Sequence, residues 1–184
     1  DGLFVDNSAG GSPLGGASVL ESTSTYASDY GSLVGNLNRK IAPKWLIANT
    51  AGDASADDTL NVVRQAPATL EEFALRPLAT NWTRFEDESQ LVRTRQQANP
   101  AGYLILDSLP AGGSPSDPRT QIATLAYYYL LGNPDTTFLM FNGGYAPSTS
   151  WSDHWSPAAA YNVGQPQGTW TTFATGTEPS NASL

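Results

Sequence analysis

Residues 103–142 read YLILDSLPAGGSPSDPRTQIATLAYYYLLGNPDTTFLMFN and carry the clearest structural signal in the chain. They begin with an apolar run over 103–106, ending at Asp107, that does not alternate with polar residues, which is typical of a strand buried on both faces of a parallel sheet. Asp117 and Pro118 then form an N-cap followed by proline at the first helical position. A second apolar run occupies residues 138–141, within a strand predicted over residues 136–142. The stretch therefore predicts a strand, a helix and a second strand parallel to the first.

The helix predicted in this unit has an apolar stripe and a defined end. The residues expected on its buried face are Ile122, Leu125, Ala126, Tyr129 and Leu130. Gly132 is placed to end the helix as a C-cap residue, and Pro134 lies two positions beyond it. These signals predict a helix that packs one face against the sheet.

The same alternation of strand and helix extends toward the beginning of the chain. Further strands are predicted at residues 2–5, 44–49 and 68–73. The helices between them are expected along the apolar stripe from Tyr26 to Ile41, near residues 57–65 and near residues 84–98. Right-handed crossovers between such strands would place the helices outside a parallel sheet. The sequence thus predicts an α/β fold of βα repeats.

Two architectures fit five parallel strands. They can form an open five-stranded sheet of the doubly wound kind, or they can be strands four to eight of a (β/α)8 barrel. The first strand begins directly after Asp1, which favours the barrel interpretation, with three strands expected upstream. We assign residues 1–145 to the βα-repeat domain, a partial barrel. Residues 146–184 are expected to form an aromatic-rich irregular segment and a tail.

Composition excludes several classes of function. The chain has 184 residues, with 9 Lys and Arg against 17 Asp and Glu, and this net charge of −8 disfavours nucleic acid and anionic membranes as partners. It has no cysteine, and no apolar run reaches the length of a membrane span. A low charge with many Trp, Tyr, Asn, Ser, Thr and Gly residues is typical of secreted carbohydrate-active proteins. Two sequons, at Asn81 and Asn181, would suit N-glycans in an extracellular protein.

Polar residues follow the predicted strands at the points where the apolar runs stop. They are Asp6, Asn49, Glu71 with Glu72, Asp107 and Asn142. The carboxyl ends of parallel strands meet at one edge of a sheet or one mouth of a barrel, and α/β enzymes keep their chemistry there. We therefore expect a single mouth lined by carboxylates and amides.

Five segments carry a resemblance to a known family. They are DGLFVDN at 1–7, EEFALRP at 71–77, the stretch from GYLILD at 102–107 to residues 141–142, SWSDHW at 150–155 and YNVGQP at 161–166. Together they resemble the carboxyl-terminal half of predicted bacterial glycoside hydrolases with a (β/α)8 barrel, in particular the hypothetical glycosyl hydrolase family 15-like group. The resemblance covers roughly residues 1–170 and lacks strands one to three.

The resemblance implies positions and roles for the strand-end residues. Asp6 would end strand four, Glu71 or Glu72 strand six, Asp107 strand seven and Asn142 strand eight. Several retaining barrels use a strand-four aspartate as nucleophile and a strand-six acid as proton donor. The implied activity is hydrolysis of a polysaccharide or oligosaccharide, with the missing barrel half as a partner.

Glycoside hydrolysis needs two carboxyl groups on either side of the scissile bond. Asp6 is the candidate nucleophile or base, because a strand end holds it rigidly. Glu71 and Glu72 compete for the role of acid, since successive side chains of a strand face opposite sides and only one can point into the mouth. We favour Glu71, the first polar residue after the apolar run, and expect the other to be solvated or paired with Arg76. Asp107 is the alternative acid.

Substrate-binding candidates complete the hypothesis. The amides of Asn7, Asn49 and Asn142 are suited to bind sugar hydroxyls, and Tyr145, Trp151 and Trp155 can stack on sugar rings. Trp45 begins a strand, so we expect it at the opposite end, in the core. No cofactor and no metal are predicted. A rival hypothesis is a non-catalytic carbohydrate-binding or structural subunit, whose exposed sheet edges drive self-association into oligomers or filaments.

Overall fold

The computed structural model describes residues 1–6, 8, 22–50, 57–72, 74, 82–108 and 118–141. This part of the chain is an α/β unit with a five-stranded, all-parallel sheet. The predicted irregular segment, residues 146–184, lies outside the described residues, as do Asn81 and Asn181.

Strands and helices alternate through these ranges in the predicted order. The elements are β1 (Gly2–Val5), α1 (Thr23–Ile41), β2 (Trp45–Asn49), α2 (Asp57–Gln65), β3 (Ala68–Glu72), α3 (Trp82–Ala98), β4 (Tyr103–Ser108), α4 (Pro118–Leu131) and β5 (Thr137–Phe141). The side chain of Ser22 caps α1 by accepting a hydrogen bond from the Thr25 amide at 3.2 Å. α4 begins at Pro118, which confirms the predicted start. None of the helices in the described ranges is long and apolar enough to cross a membrane.

The strands are ordered β1-β2-β3-β4-β5, so each strand lies beside the next one in the chain. The five-stranded, all-parallel sheet is consistent with the open-sheet alternative, but the winding of the described strands is not double, because a doubly wound sheet reverses its strand order and carries helices on both faces. The prediction of a closed (β/α)8 barrel stays a prediction.

One face of the sheet carries the helices. Strand register places Ala48, Thr69 and Leu104 side by side, so they share that face. Two apolar clusters lie on it: Val34, Leu46, Ala48, Val62 and Ala66 beneath α1 and α2, and Ala74, Val92, Leu104, Leu106 and Leu131 beneath α3 and α4. All the described helices therefore cover the same face, and we call the other one the open face.

The open face carries a row of aromatic rings near the amino ends of the strands. Tyr103 lies between Trp45, at a ring-centroid distance of 5.2 Å, and Phe138, at 5.7 Å. Trp45 lies at the amino end, as predicted, but it is 50% exposed, so its assignment to the core is wrong. The reason is that Trp45 alternates with Leu46, and only Leu46 faces the helices.

The buried face of α4 differs from the predicted stripe. Leu125 is buried as expected, whereas Ile122 is 57% and Leu130 58% exposed. Gln121 and Thr124 are buried in their place. α4 is apolar around much of its circumference, so the pattern of apolar residues does not single out one face, and contact with β4 and α3 selects it.

Candidate functional site

Four polar residues occupy the carboxyl ends of neighbouring strands on the open face. Asn49 pairs with Leu70 in the register of β2 and β3, which places it on the same face as Glu72, two residues further. Glu72 in turn pairs with Asp107 of β4. Asp6 follows β1, and its carboxylate accepts a hydrogen bond from the Asn49 side chain. We call Asp6, Asn49, Glu72 and Asp107 the carboxyl-end cluster.

The amide of Asn49 joins two carboxylates of this cluster. Its Nδ2 donates to Asp6 Oδ1 at 2.8 Å and to Glu72 Oε2 at 3.3 Å. Because both distances start from one nitrogen, the two oxygens are at most about 6.1 Å apart. Hydrogen bonds to an ionised acceptor are stronger than those between neutral groups, so the amide fixes both side chains toward a common point.

The members of the cluster differ in their exposure. Asp6 is exposed, Glu72 is half-buried, and Asp107 is buried with 3% of its surface accessible. The site therefore opens toward solvent on the β1 side and becomes enclosed toward β4. An exposed carboxylate beside a half-buried one and a buried one suits a site that admits a soluble substrate.

Glu71 lies on the opposite side of the sheet from this cluster. Its carboxylate faces α3, where Oε2 is 2.6 Å from Nη2 of Arg95, and the two side chains are 1% and 2% exposed. The preference for Glu71 as the acid that faces the mouth is therefore wrong, and Glu72 occupies that position. The predicted alternation of side chains along β3 is confirmed, since Glu71 and Glu72 point to opposite sides of the sheet. Arg76, the partner expected for the other glutamate, lies outside the described residues.

A buried polar network behind the cluster was missed from the sequence. Thr50 donates its main-chain amide to the Leu70 carbonyl at 2.9 Å, and its hydroxyl lies 3.0 Å from that carbonyl and 3.4 Å from Glu71 Oε2. Arg95 donates to the same hydroxyl. The network ties the ends of β2 and β3 together and so sets the positions of the neighbouring cluster residues. Its one signal in the sequence is Arg95, four residues after Leu91, on the inward side of α3.

The chain after β1 is anchored beside the cluster. The main-chain amide of Ser8 donates to the Asn49 carbonyl at 2.6 Å, and the Ser8 hydroxyl donates to the Val5 carbonyl at 2.9 Å. A purely structural alternative for Asp6 is a turn in which its carboxylate binds the following amides. The Ser8 amide donates to Asn49 and not to Asp6, and the Asp6 carboxylate accepts a hydrogen bond from the Asn49 side chain.

The remaining predicted site residues cannot be placed on this geometry. Asn7, Asn142, Tyr145, Trp151 and Trp155 lie outside the described residues. Within the described ranges, no group of three or more acidic or histidine side chains is arranged to hold a metal ion. The cluster thus consists of three carboxylates and one amide, and carboxylates are groups that can transfer protons or act as nucleophiles.

Comparison with known proteins adds no assignment. No family model, no curated protein and no solved structure matches the chain.

Proposed function

We propose that the chain is part of a secreted glycoside hydrolase that cleaves a polysaccharide or oligosaccharide with a pair of carboxyl groups. Asp6 is the nucleophile and Glu72 is the acid. The observation that carries the proposal is the Asn49 amide bridge, which holds these two carboxylates within about 6.1 Å of each other. Two carboxyl groups that flank a glycosidic bond are the minimal equipment for its hydrolysis.

The reaction would proceed in two steps. Glu72, in its protonated form, gives its proton to the glycosidic oxygen as the bond from that oxygen to C1 breaks, and the Asp6 carboxylate attacks C1 to form a glycosyl ester. Glu72, now ionised, takes a proton from water while the water oxygen attacks C1 and releases Asp6. Both carboxyl groups return to their starting states, so the net reaction consumes one water molecule.

The separation of the carboxyl groups favours retention of stereochemistry. Retaining enzymes place their two carboxyl groups about 5–5.5 Å apart, and inverting enzymes place them about 6.5–9.5 Å apart, with room for a water molecule. The upper limit of about 6.1 Å between the Asp6 and Glu72 oxygens agrees with the shorter class. We therefore expect a product with the same anomeric configuration as the substrate.

The barrel belongs to the same proposal. A sequential order of parallel strands with helices on one face only is the arrangement that each arc of a (β/α)8 barrel requires. In that architecture the strands would be four to eight, and the open face would line the barrel interior. The resemblance to the hypothetical glycosyl hydrolase family 15-like group points to the same architecture.

Substitution of the carboxyl groups tests the chemistry. Purified chain is incubated with a panel of polysaccharides and aryl glycosides, and reducing ends and released aryl groups are measured. We expect Asp6→Asn and Glu72→Gln each to lower kcat by about 10²–10⁴-fold with little change in glycan binding. Asp29→Asn is the matched control, since it removes one exposed carboxylate from α1. Asp107→Asn decides between Glu72 and Asp107 as the acid.

A second candidate function is a non-catalytic carbohydrate-binding or structural subunit. The aromatic row of Trp45, Tyr103 and Phe138 on the open face favours it, because sugar rings stack on exposed aromatic side chains. A binding subunit would retain full glycan affinity in Asp6→Asn and Glu72→Gln and would show no turnover in the unaltered chain. The hydrolase proposal fails if no substrate is cleaved, or if both variants keep the unaltered rate.

A further inference from the structure

The exposed large apolar side chains are concentrated at the two ends of the sheet. In the described part of the chain there are seven such residues, and Trp45 is the one that lies on neither end. Three lie on β1 and α1, namely Leu3, Phe4 and Leu33, and three on α4 and β5, namely Ile122, Leu130 and Phe138. The described side chains of the middle helices, residues 59–65 of α2 and 89–98 of α3, contribute none. Such a distribution marks both ends as interaction surfaces.

The first end consists of β1 and α1. Leu3 is 38% exposed, Phe4 54% and Leu33 49%. A side chain at Gly31 would meet Asn61 of α2, so Gly31 marks the side of α1 that contacts α2. Leu33 is two residues further, about 200° around the helix, and therefore faces away from α2 on the outer side of the unit.

The second end consists of α4 and β5 and has the same organisation. Ile122 is 57% exposed, Leu130 58% and Phe138 51%. Leu131 packs in the cluster beneath α3 and α4, and its carbonyl accepts a hydrogen bond from Gln96 of α3 at 3.1 Å. Ile122 is nine residues before Leu131, about two and a half turns, so it faces away from that cluster. Each end thus presents an apolar helix side next to an edge strand.

We propose that copies of this chain associate head to tail, with β5 of one copy beside β1 of the next. In the described sheet, β1 and β5 each have a neighbouring strand on one side only, and all strands run in the same direction. A second copy placed this way continues the parallel sheet, and its strands follow in the same direction and the same sequential order. Its α1 then packs beside α4, just as each helix within the chain packs beside the next. This inference does not depend on the proposed hydrolase chemistry, and it is the alternative to the closed barrel, in which the missing strands would cover the same edges of β1 and β5.

The size of the surfaces supports a second copy as the occupant. Large apolar side chains have about 150–200 Å² of surface, so six that are about half exposed offer on the order of 500 Å². A stable interface buries about 1,200–2,000 Å² in total. The six side chains therefore supply roughly a third of a standard interface, before the edge strands and the polar rim are included.

The charges at the amino-end side of the sheet are complementary as well. Lys40 lies in the last turn of α1, seven residues after Leu33 and therefore on the same side of the helix, and it is exposed. Asp135 is exposed in the connection between α4 and β5. Parallel packing of α1 beside α4 brings these groups to the same level, since both helices end at the amino ends of the strands. Opposite charges on the rim favour this pairing over contact between two identical ends.

The contact is heterologous, because the two surfaces that meet are different. Such contacts close into a ring when the rotation between copies allows it, and otherwise extend into a filament. Cross-linking between engineered cysteines tests the pairing directly, because the chain has no cysteine of its own. Leu33→Cys and Ile122→Cys chains are mixed and treated with a bismaleimide about 10 Å long, which matches the spacing of packed helices.

We expect covalent dimers in the mixture and none in either variant alone. Leu33→Cys mixed with Gln97→Cys is the control, since Gln97 is exposed on the central helix α3. Cross-linking within a single variant would show contact between identical ends and would overturn the proposal. Absence of cross-linking in the mixture would overturn it too.

Sedimentation measures the energetic contribution of the same two residues. We expect Leu33→Glu and Ile122→Glu each to raise the Kd for self-association at least tenfold, while Gln97→Glu leaves it unchanged. Circular dichroism of each variant establishes that the fold is retained, and Leu33→Ala and Ile122→Ala replace any variant that fails to fold. A chain that sediments as a monomer at high micromolar concentration would refute head-to-tail association.

Discussion

Removal of one partner from the ion pair between Glu71 and Arg95 should cause one of the largest single losses of stability in the described unit. The two side chains are 1% and 2% exposed, and their charged groups are 2.6 Å apart. Removal of one partner from a buried pair leaves the other charge without water and without its counter-ion, which costs about 3–5 kcal/mol. A domain of this kind has a total unfolding free energy of about 5–15 kcal/mol. Glu71→Ala should therefore remove a large fraction of it.

Urea unfolding followed by tryptophan fluorescence and circular dichroism measures this loss. With an m-value of about 2 kcal/mol/M, a loss of about 4 kcal/mol lowers the unfolding midpoint by about 2 M. Glu72→Ala is the matched control, because the adjacent residue faces the open side and is half-buried. It loses the hydrogen bond from Asn49, and such a bond contributes about 0.5–1.5 kcal/mol.

The double variant Glu71→Leu with Arg95→Met separates a buried charge penalty from lost packing. Replacement of both partners by apolar groups of similar size is often neutral or stabilising, so we expect the double variant to unfold near the midpoint of the unaltered chain. A Glu71→Ala midpoint equal to that of Glu72→Ala would refute the assignment of Glu71 to the helix-covered face. A double variant as unstable as Glu71→Ala would refute the electrostatic explanation.

Two further predictions concern the helices. Gly31→Ala should destabilise the chain, because the new Cβ would lie 2.8 Å from the Cβ and 3.2 Å from main-chain atoms of Asn61 in α2. Gly35→Ala should stabilise it by about 1 kcal/mol of helix propensity, because its new Cβ meets the movable end of the Gln65 side chain. Thermal unfolding of the two variants measures this difference in sign, and equal shifts in the unfolding temperature would contradict it. Burial and the neighbouring Tyr129 raise the pKa of Tyr128, whose hydroxyl donates to a main-chain carbonyl of β5 at 2.9 Å. Because the folded state holds the hydroxyl proton more tightly, this group contributes fully to stability below the ordinary tyrosine pKa of about 10, and the contribution is lost as the pH rises through the higher folded pKa. The unaltered chain should therefore be more stable than Tyr128→Phe by about 1 kcal/mol at pH 7, and this difference should shrink in urea titrations above pH 10. A difference that stays constant with pH would count against this role.

Local signals were sufficient for the order of strands and helices. Apolar runs without alternation, the Asp117–Pro118 start and the Ile41 end before Pro43 all act within a few residues of one another, so they can be read from the chain. The strand-end polar residues were also visible, because each interrupts an apolar run. These features led to Asp6, Asn49, the pair Glu71 and Glu72, and Asp107; the sheet brings all of them except the favoured Glu71 together on one face.

Which side of each strand and helix faces its neighbours was decided only by the tertiary structure. A period of two residues dictates that Glu71 and Glu72 face opposite sides, but only the position of α3 and Arg95 decides which of them faces the open side. The exposure of Ile122 has the same origin, because a helix that is apolar around much of its circumference can present more than one side to a sheet. Local sequence restricts backbone angles, whereas the choice of face depends on contacts between residues far apart in the chain, and those exist only once the sheet and its helices have packed.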